Sequence, residues 1–207
     1  MNKTKKKIIL TAVSLFNETG MGNVRNQDIA KKAGISLSNF NYHFKTKQDL
    51  VLEVCAYMTG VLEQEVYGNM VLIREGQGLE ITKLYFEFEQ NFRFFYLDTY
   101  HILQTYPILK EEVHKQVKEA IQIIKNLNYM AVGKGNMLPE PTDQPGLYDQ
   151  LAEQIWINNH FLFGQIHIRG IEVNSVSKGL QSVFAILYPY LTGKGRDAYR
   201  VFLKTIV

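Results

Sequence analysis

The sequence predicts an all-α fold: a three-helix domain over residues 1–47 and a second helical domain over 48–207. Apolar residues recur at spacings of three and four, strict alternation is nowhere sustained, and glycine or proline punctuates the segments at helix-length intervals. In the first helix, residues 3–19, Ile8, Ile9, Ala12, Val13 and Phe16 share one face, and Gly20 stops it. A short helix at 26–33 ends at Gly34. A third follows Ile35-Ser36, with Phe40 and Phe44 one turn apart on one face. Helices this short do not persist alone in water, so the first three must share a core.

The fourth helix starts near Lys47, buries Leu50, Val51, Val54, Met58, Val61 and Leu62, and is expected to run to Gly76 and Gly78. Residues 79–132 read as a long helix, a break between Asp98 and Pro107, and a further helix with Lys110, Glu111, Lys115, Lys118 and Lys125 outward. Gly133 to Gly146, with three prolines, is a long loop. Helices at roughly 147–171, 175–191 and 195–206 complete the chain.

Composition excludes several classes. At 46% apolar and 21% charged the chain is an ordinary globular sequence, neither disordered nor collagen-like. A single cysteine, Cys55, cannot form an intrachain disulfide, which points to a cytoplasmic setting. Lys3 to Lys7 followed by Ile8 to Phe16 imitates a signal peptide, yet Asn17-Glu18-Thr19 offers no cleavage site. The longest other uncharged stretches, Gln154–Ile168 and Gly179–Gly193, are 15 residues each, short of a bilayer span, so no membrane segment is expected. Charge is unevenly placed. Residues 1–47 hold nine basic and two acidic groups, net +7, whereas the remainder carries 14 basic against 18 acidic, net −4. A basic N-terminal fifth suits a polyanion, nucleic acid or anionic lipid.

The informative stretch runs from Gln27 to Phe44. Its spacing is that of two helices crossing at a short turn, a helix-turn-helix. Ala30 is small where the helices cross, Gly34 permits the left-handed turn, and Ile29, Ile35, Phe40 and Phe44 fill the core. That leaves Ser36, Ser38, Asn39, Asn41, Tyr42 and His43 on the outer face and N-terminal end of the second helix, flanked by Lys45 and Lys47. Amides can pair with adenine in the major groove, and hydroxyls and ammonium groups hold phosphates.

Over residues 5–52 the chain resembles the TetR (tetracycline-repressor-like) family of bacterial transcriptional regulators. Ile29-Ala30, Ala33-Gly34-Ile35-Ser36, Ser38-Asn39-Phe40-Asn41-Tyr42-His43-Phe44, Lys47 and Leu50 follow its pattern, with Leu15-Phe16 and Gly20 upstream. Three positions depart from it. Asn41 replaces a tyrosine that in most members touches DNA, Ser38 replaces a glycine, and Arg25 replaces a capping Ser or Thr, leaving Asn23 or Asn26 as expected caps. Arg25, Asn26 and Gln27 complete the expected DNA-contacting set. The resemblance implies a helix-turn-helix DNA-binding domain over residues 1–47 and an effector-binding and dimerisation domain over 48–207, in a homodimeric repressor released by a small, largely apolar effector from a palindromic double-stranded DNA operator.

Outside this domain no local motif carries over. Residues 85–106 hold nine aromatics in 22 positions, against 12% across the chain. Phe88, Phe92 and Phe95 fall on one helical face, as a packed core or a ligand pocket would place them. The family's habit of housing an effector among these helices favours a pocket, with Tyr96, Tyr100, Trp156, His160 and Phe163 as further lining. Val176, Leu180, Val183, Leu187 and Leu191 form one apolar seam and Leu151, Ile155, Leu162 and Ile166 another. Paired across two chains, they would make the dimer's four-helix bundle; buried within one chain, they would be ordinary core.

Neither a metal nor a cofactor is expected. His160 and His167 are two turns apart, about 10 Å, too far to share an ion. Hydrolase elbow, phosphate loop and metalloprotease motifs are absent from the sequence, so no enzyme is expected. Glu89 and Arg93, four apart, read as a helix-surface ion pair. The rival reading is a DNA-associated structural or partner-recruiting protein of the same fold without an effector. A filled core behind the aromatics would favour it, whereas a cavity on the order of several hundred Å³ would favour the sensor.

Overall fold

The computed structural model describes residues 2–69, 78–171 and 175–205. Eleven α-helices are described among them: α1 (Lys3–Thr19), α2 (Asn26–Ala33), α3 (Leu37–His43), α4 (Lys47–Val61), α5 (Gly78–Asn91), α6 (Arg93–Thr105), α7 (Lys110–Gly133), α8 (Leu147–His160), α9 (Leu162–Ile168), α10 (Ser175–Leu187) and α11 (Gly193–Lys204). The boundaries of the first three follow from local chemistry. Asn2 Oδ1 accepts from Thr4 N–H to start α1. Gly34 takes φ 66°, and its N–H reaches the carbonyls of Ala30 and Lys31 to end α2. The Ser36 hydroxyl accepts from Asn39 N–H to start α3. Neither Asn23 nor Asn26 caps α2. Asp28 instead accepts from the N–H of Arg25, while Asn23 Nδ2 donates back to the carbonyl of Thr19.

α1 packs on α2 and α4, and α2 on α3, around Ile8, Ile9, Ala12, Phe16, Ile29, Ala30, Phe40, Phe44 and Leu50, all buried. Burying each phenylalanine contributes roughly 2 kcal/mol. The same core continues without a gap through Val51, Val54 and Met58 of α4 to Phe88, Phe95 and Ile102, so both domains share α4. A reciprocal box of Thr46 and Asp49 caps this helix. It does not run on as regular helix. After Val61 one wider π-turn, Leu62–Val66, and a 3₁₀ turn, Tyr67–Asn69, follow. Gly76 lies outside the described residues, and Gly78 opens α5 rather than closing α4.

Two expected long helices are broken. Phe92 (φ −120°, ψ 32°) separates α5 from α6, and Phe161 (φ −97°, ψ 6°) separates α8 from α9. Near Asp98, where the sequence suggested a gap, α6 continues through a kink, and Pro107 opens a 3₁₀ turn leading into α7. The Gly133–Gly146 loop is strapped to the segment before α11, where Leu138 N–H donates to Tyr190 O and Thr192 N–H to Asn136 O, and to α8, whose Tyr148 hydroxyl donates to Leu138 O. A second core joins α5, α8, α10 and α11 around Phe86, Tyr148, Leu180 and Tyr199. No described helix is long and apolar enough to cross a membrane.

Candidate functional site

The helix-turn-helix presents a polar outer face. Arg25, Gln27, Ser36, Ser38, Asn39, Asn41, Tyr42 and Lys45 are exposed, and Asn26 and His43 are half-buried. Tyr42 stands out from α3 with its ring edge-on to His43, centroids 5.2 Å apart. Ser36 is committed to capping and shares its hydroxyl with Ser38 at 3.0 Å. Arg25, Asn26, Gln27 and Asn41 surround one open groove together with Leu37. Leu37 is exposed one turn before Asn41 on the same helix. The helical period of α3 places Leu37 and Asn41 one turn apart in the sequence.

Lys47 differs from its place in the sequence reading. Its ammonium donates to the carbonyl of Val24 at 2.6 Å and lies 4.6 Å from the centre of the Phe16 ring. Burial brings its pKa down to about 8, Asp28 opposing the shift. The residue thus fastens α4 to the helix-turn-helix, half-buried at the wall of the same groove.

The cavity is not where the aromatic run suggested. About 210 Å³ opens among α5, α7, α8, α10 and α11, walled largely by Leu79, Ile81, Ile124, Leu127, Ile155 and Val183. Of the expected effector residues only Trp156 lines it. Phe88, Phe95, Tyr96 and His160 reach a smaller chamber of about 30 Å³, which shares Tyr67, Tyr85, Ala120 and Trp156 with the main cavity. Phe92 and Phe163 line neither and pack in the core, Phe92 at 5.0 Å from Phe88. Tyr100 is 79% exposed, on the outer side of the helix end whose inner side buries Ile102. Buried polar atoms are left unpartnered at the cavity wall: Tyr67 Oη, Asn128 Nδ2 and Asn136 Oδ1. Burial pushes the Tyr67 phenol up to about 12, and brings His160 down to about 4.

Both expected dimer seams fold inward. Leu151, Ile155, Leu162, Val176, Leu180, Val183 and Leu191 are buried, and Ile166 and Leu187 pack half-buried against the same cluster. Ile155, Val183, Leu187 and Leu191 moreover line the cavity. Side chains already covered by α5, such as Leu180 at 0% exposure, have no surface left for a second chain. α10 comes so close to α5 that a Cβ on Gly179 would lie 2.5 Å from the Phe86 ring. What α8 to α10 leave outside is a different set: Ile157, Phe161 and Ile168 are exposed, with Asn158 and Ser182 joined at 2.7 Å between α8 and α10.

The expected surface pair of Glu89 and Arg93 is also absent. The helix break at Phe92 sends them apart: Glu89 is fully buried, and Arg93 Nη2 donates to the carbonyl of Asn17 at the end of α1.

Comparison with known proteins agrees with this architecture. A family model described as bacterial regulatory proteins, tetR family, matches residues 8–54, and one described as TetR, bacterial transcriptional repressor, matches 77–199. The chain is 28% identical over 143 residues to the HTH-type transcriptional regulator YerO of Bacillus subtilis, covering 65% of this chain and 49% of that protein. It thus spans about half the length of that relative. A TetR-family regulator from Marinobacter aquaeolei VT8 superposes with a TM-score of 0.83 at 20% identity, covering 99% and 98% of the two chains. The ketosteroid transcriptional regulator KstR2 of Mycobacterium tuberculosis superposes with 0.61 at 15% identity, covering 93% and 97%.

Proposed function

Since this chain belongs to the TetR family of bacterial transcriptional regulators, we propose that it acts as a dimer on a near-palindromic operator and is released when an effector fills the 210 Å³ cavity. It is a DNA-binding regulator and not an enzyme. The observation that carries the release mechanism is the span of α4. At its start Lys47 is bonded to the turn before α2, and past its end Val66 and Tyr67 line the cavity, so a displaced cavity wall pulls on the recognition unit. Fifteen helical residues put these ends about 22 Å apart.

In this reading α3 enters the major groove. Leu37, Asn39 and Asn41 face base edges; Tyr42, Lys45, Arg25 and Gln27 hold phosphates. Two chains associate through the outer faces of α8 to α10, with Ile157, Phe161 and Ile168 at the contact. Effector binding changes the separation of the two recognition helices, and the match to half-sites about one helical turn apart is lost. Thermal-shift screening for ligands, followed by operator binding with each hit, tests the coupling. A ligand that raises the melting temperature and lowers operator affinity supports release. Ligands that stabilise the protein yet leave operator affinity unchanged contradict it.

A further inference from the structure

Several polar side chains on the wall of the 210 Å³ cavity are matched within the protein. The Thr82 hydroxyl donates to Gly78 O, Asn159 Oδ1 accepts from Asn158, and the Tyr199 hydroxyl donates to Leu180 O. Asn128 and Asn136, on the same wall, differ: Asn128 Nδ2 and Asn136 Oδ1 are buried and have no protein hydrogen-bond partner. Asn128 as a whole is 4% exposed. A buried donor or acceptor left unmatched is destabilising, and on the wall of a cavity it is a group that a guest can match. The two amides are neighbours. The N–H of Asn136 donates to the carbonyl of Ala131 at 2.8 Å, and Ala131 lies one turn beyond Asn128 on α7. Tyr67 Oη, a third unmatched atom on the wall, belongs to the turn after α4 and has no such shared anchor. Most of the remaining wall is apolar, and Lys134, the charged side chain among the described residues lining it, is exposed.

We propose that the effector is an uncharged lipophilic molecule whose head both accepts and donates hydrogen bonds, as an amide does, seated at Asn128 and Asn136 with its apolar body in the rest of the cavity. The proposal rests on the reading of that cavity as the effector site. The carbonyl of an amide head accepts from Asn128 Nδ2, and its N–H donates to Asn136 Oδ1. Because an asparagine amide can turn over, exchanging donor for acceptor, a head with both functions serves either orientation. Charge is disfavoured by solvation. An ionised head taken out of water needs a countercharge, and the described wall offers none that is buried. Lys134, being exposed, is a weak partner for an anion. Size agrees as well: a cavity of about 150 Å³ holds one benzene ring, so 210 Å³ has room for a short chain or ring with its head.

Calorimetric titration of the full chain with octanamide, octanoate and octylamine near neutral pH separates the possibilities, because the three share an eight-carbon chain and differ in the head group. Octanamide is expected to bind at least about tenfold more tightly than either ion. Asn128→Leu, close in size and without polar side-chain atoms, is expected to raise the melting temperature of the ligand-free protein and to weaken octanamide at least about tenfold. Equal or tighter binding of octanoate or octylamine overturns the uncharged head and leaves the cavity reading standing. Octanamide affinity unchanged in a folded Asn128→Leu protein overturns Asn128 as the partner of the head, and a lowered melting temperature means that its amide is already matched within the fold. No binding by any of the three overturns both the proposal and the cavity reading. Should Asn128→Leu fail to fold, Asn136→Ala is titrated in its place, with the same loss of octanamide affinity expected and an unchanged affinity overturning the pair.

Discussion

The side-chain oxygen of Asn17, near the end of α1, accepts from the backbone N–H of Phe94 at 3.0 Å, while its amide donates to the carbonyl of Asn91 at 2.7 Å. One residue of the DNA-binding domain therefore clasps both sides of the α5 to α6 break. Phe16 and Phe94 pack beside it with rings 5.3 Å apart, and Arg93 closes the clasp on the carbonyl of Asn17. The break at Phe92 supplies the free backbone groups that this asparagine satisfies.

Asn17→Ala removes two of these hydrogen bonds and is expected to destabilise the protein by about 1–3 kcal/mol in urea unfolding. It should also reduce the factor by which an effector weakens operator binding, since it loosens a link between the domains that does not pass through α4. Unchanged coupling in the folded variant would assign transmission to α4 alone.

Lys45 and Lys47 should separate in salt titrations of operator binding. Exposed Lys45, changed to Ala, is expected to lower the slope of log affinity against log salt by roughly one unit. Lys47→Ala should leave the slope nearly unchanged and lower thermal stability, because its ammonium is held at the Val24 carbonyl. A full unit lost from the slope with Lys47→Ala would place that ammonium on a phosphate.

Asn41→Ala and Leu37→Ala are each expected to cost about 1–3 kcal/mol on the cognate operator, with relaxed preference at one base position. Equal losses on cognate and random DNA would move these residues from base reading to backbone contact.

Gly179→Ala places a Cβ against the fully buried Phe86 ring and is expected to destabilise by about 1–3 kcal/mol. Gly164→Ala in α9 meets open space and is expected to be neutral or stabilising by up to about 1 kcal/mol. Comparable melting curves for the two would mean that α10 and α5 are not packed this closely.

Burial of His160 sets the sign of an expected pH dependence of stability. Burial lowers its folded pKa to about 4 from an ordinary 6.5, so between these values the unfolded chain binds more protons and stability is lost as pH falls. The loss is up to about 3 kcal/mol for a shift of this size. Glu89, raised by burial, acts oppositely: the stability from its neutral form is lost as pH rises through its folded pKa. The difference between unaltered protein and His160→Gln isolates the histidine, and a difference independent of pH from about 7 down to 4 would mean the ring is solvated in the fold.

The DNA-binding domain is written in local sequence. Gly34, Ser36 and the Phe40 and Phe44 pair act over a few residues, so the spans of α1 and α2 and the face of α3 can be read directly. The second domain is different because its decisive choices are tertiary. Periodicity marked Leu180 and Ile155 as apolar seams, and only the arrival of α5 and α11 shows that those seams close within one chain. It marked an aromatic cluster, yet whether rings fill a core, as Phe92 does, or wall a chamber, as Tyr96 does, depends on residues far away in sequence. The break at Phe92 carries no glycine or proline. Without it Glu89 and Arg93 look like neighbours on a surface, and the buried carboxyl group stays hidden.

The central claim is specific recognition by paired helix-turn-helix units. Selection from a random DNA library by the purified chain at one fixed salt concentration tests it most directly. The account predicts enrichment of a near-palindrome with two half-sites about one helical turn apart. Retention of DNA without a shared motif would contradict it and leave only the basic surface of residues 1–47 binding the phosphate backbone.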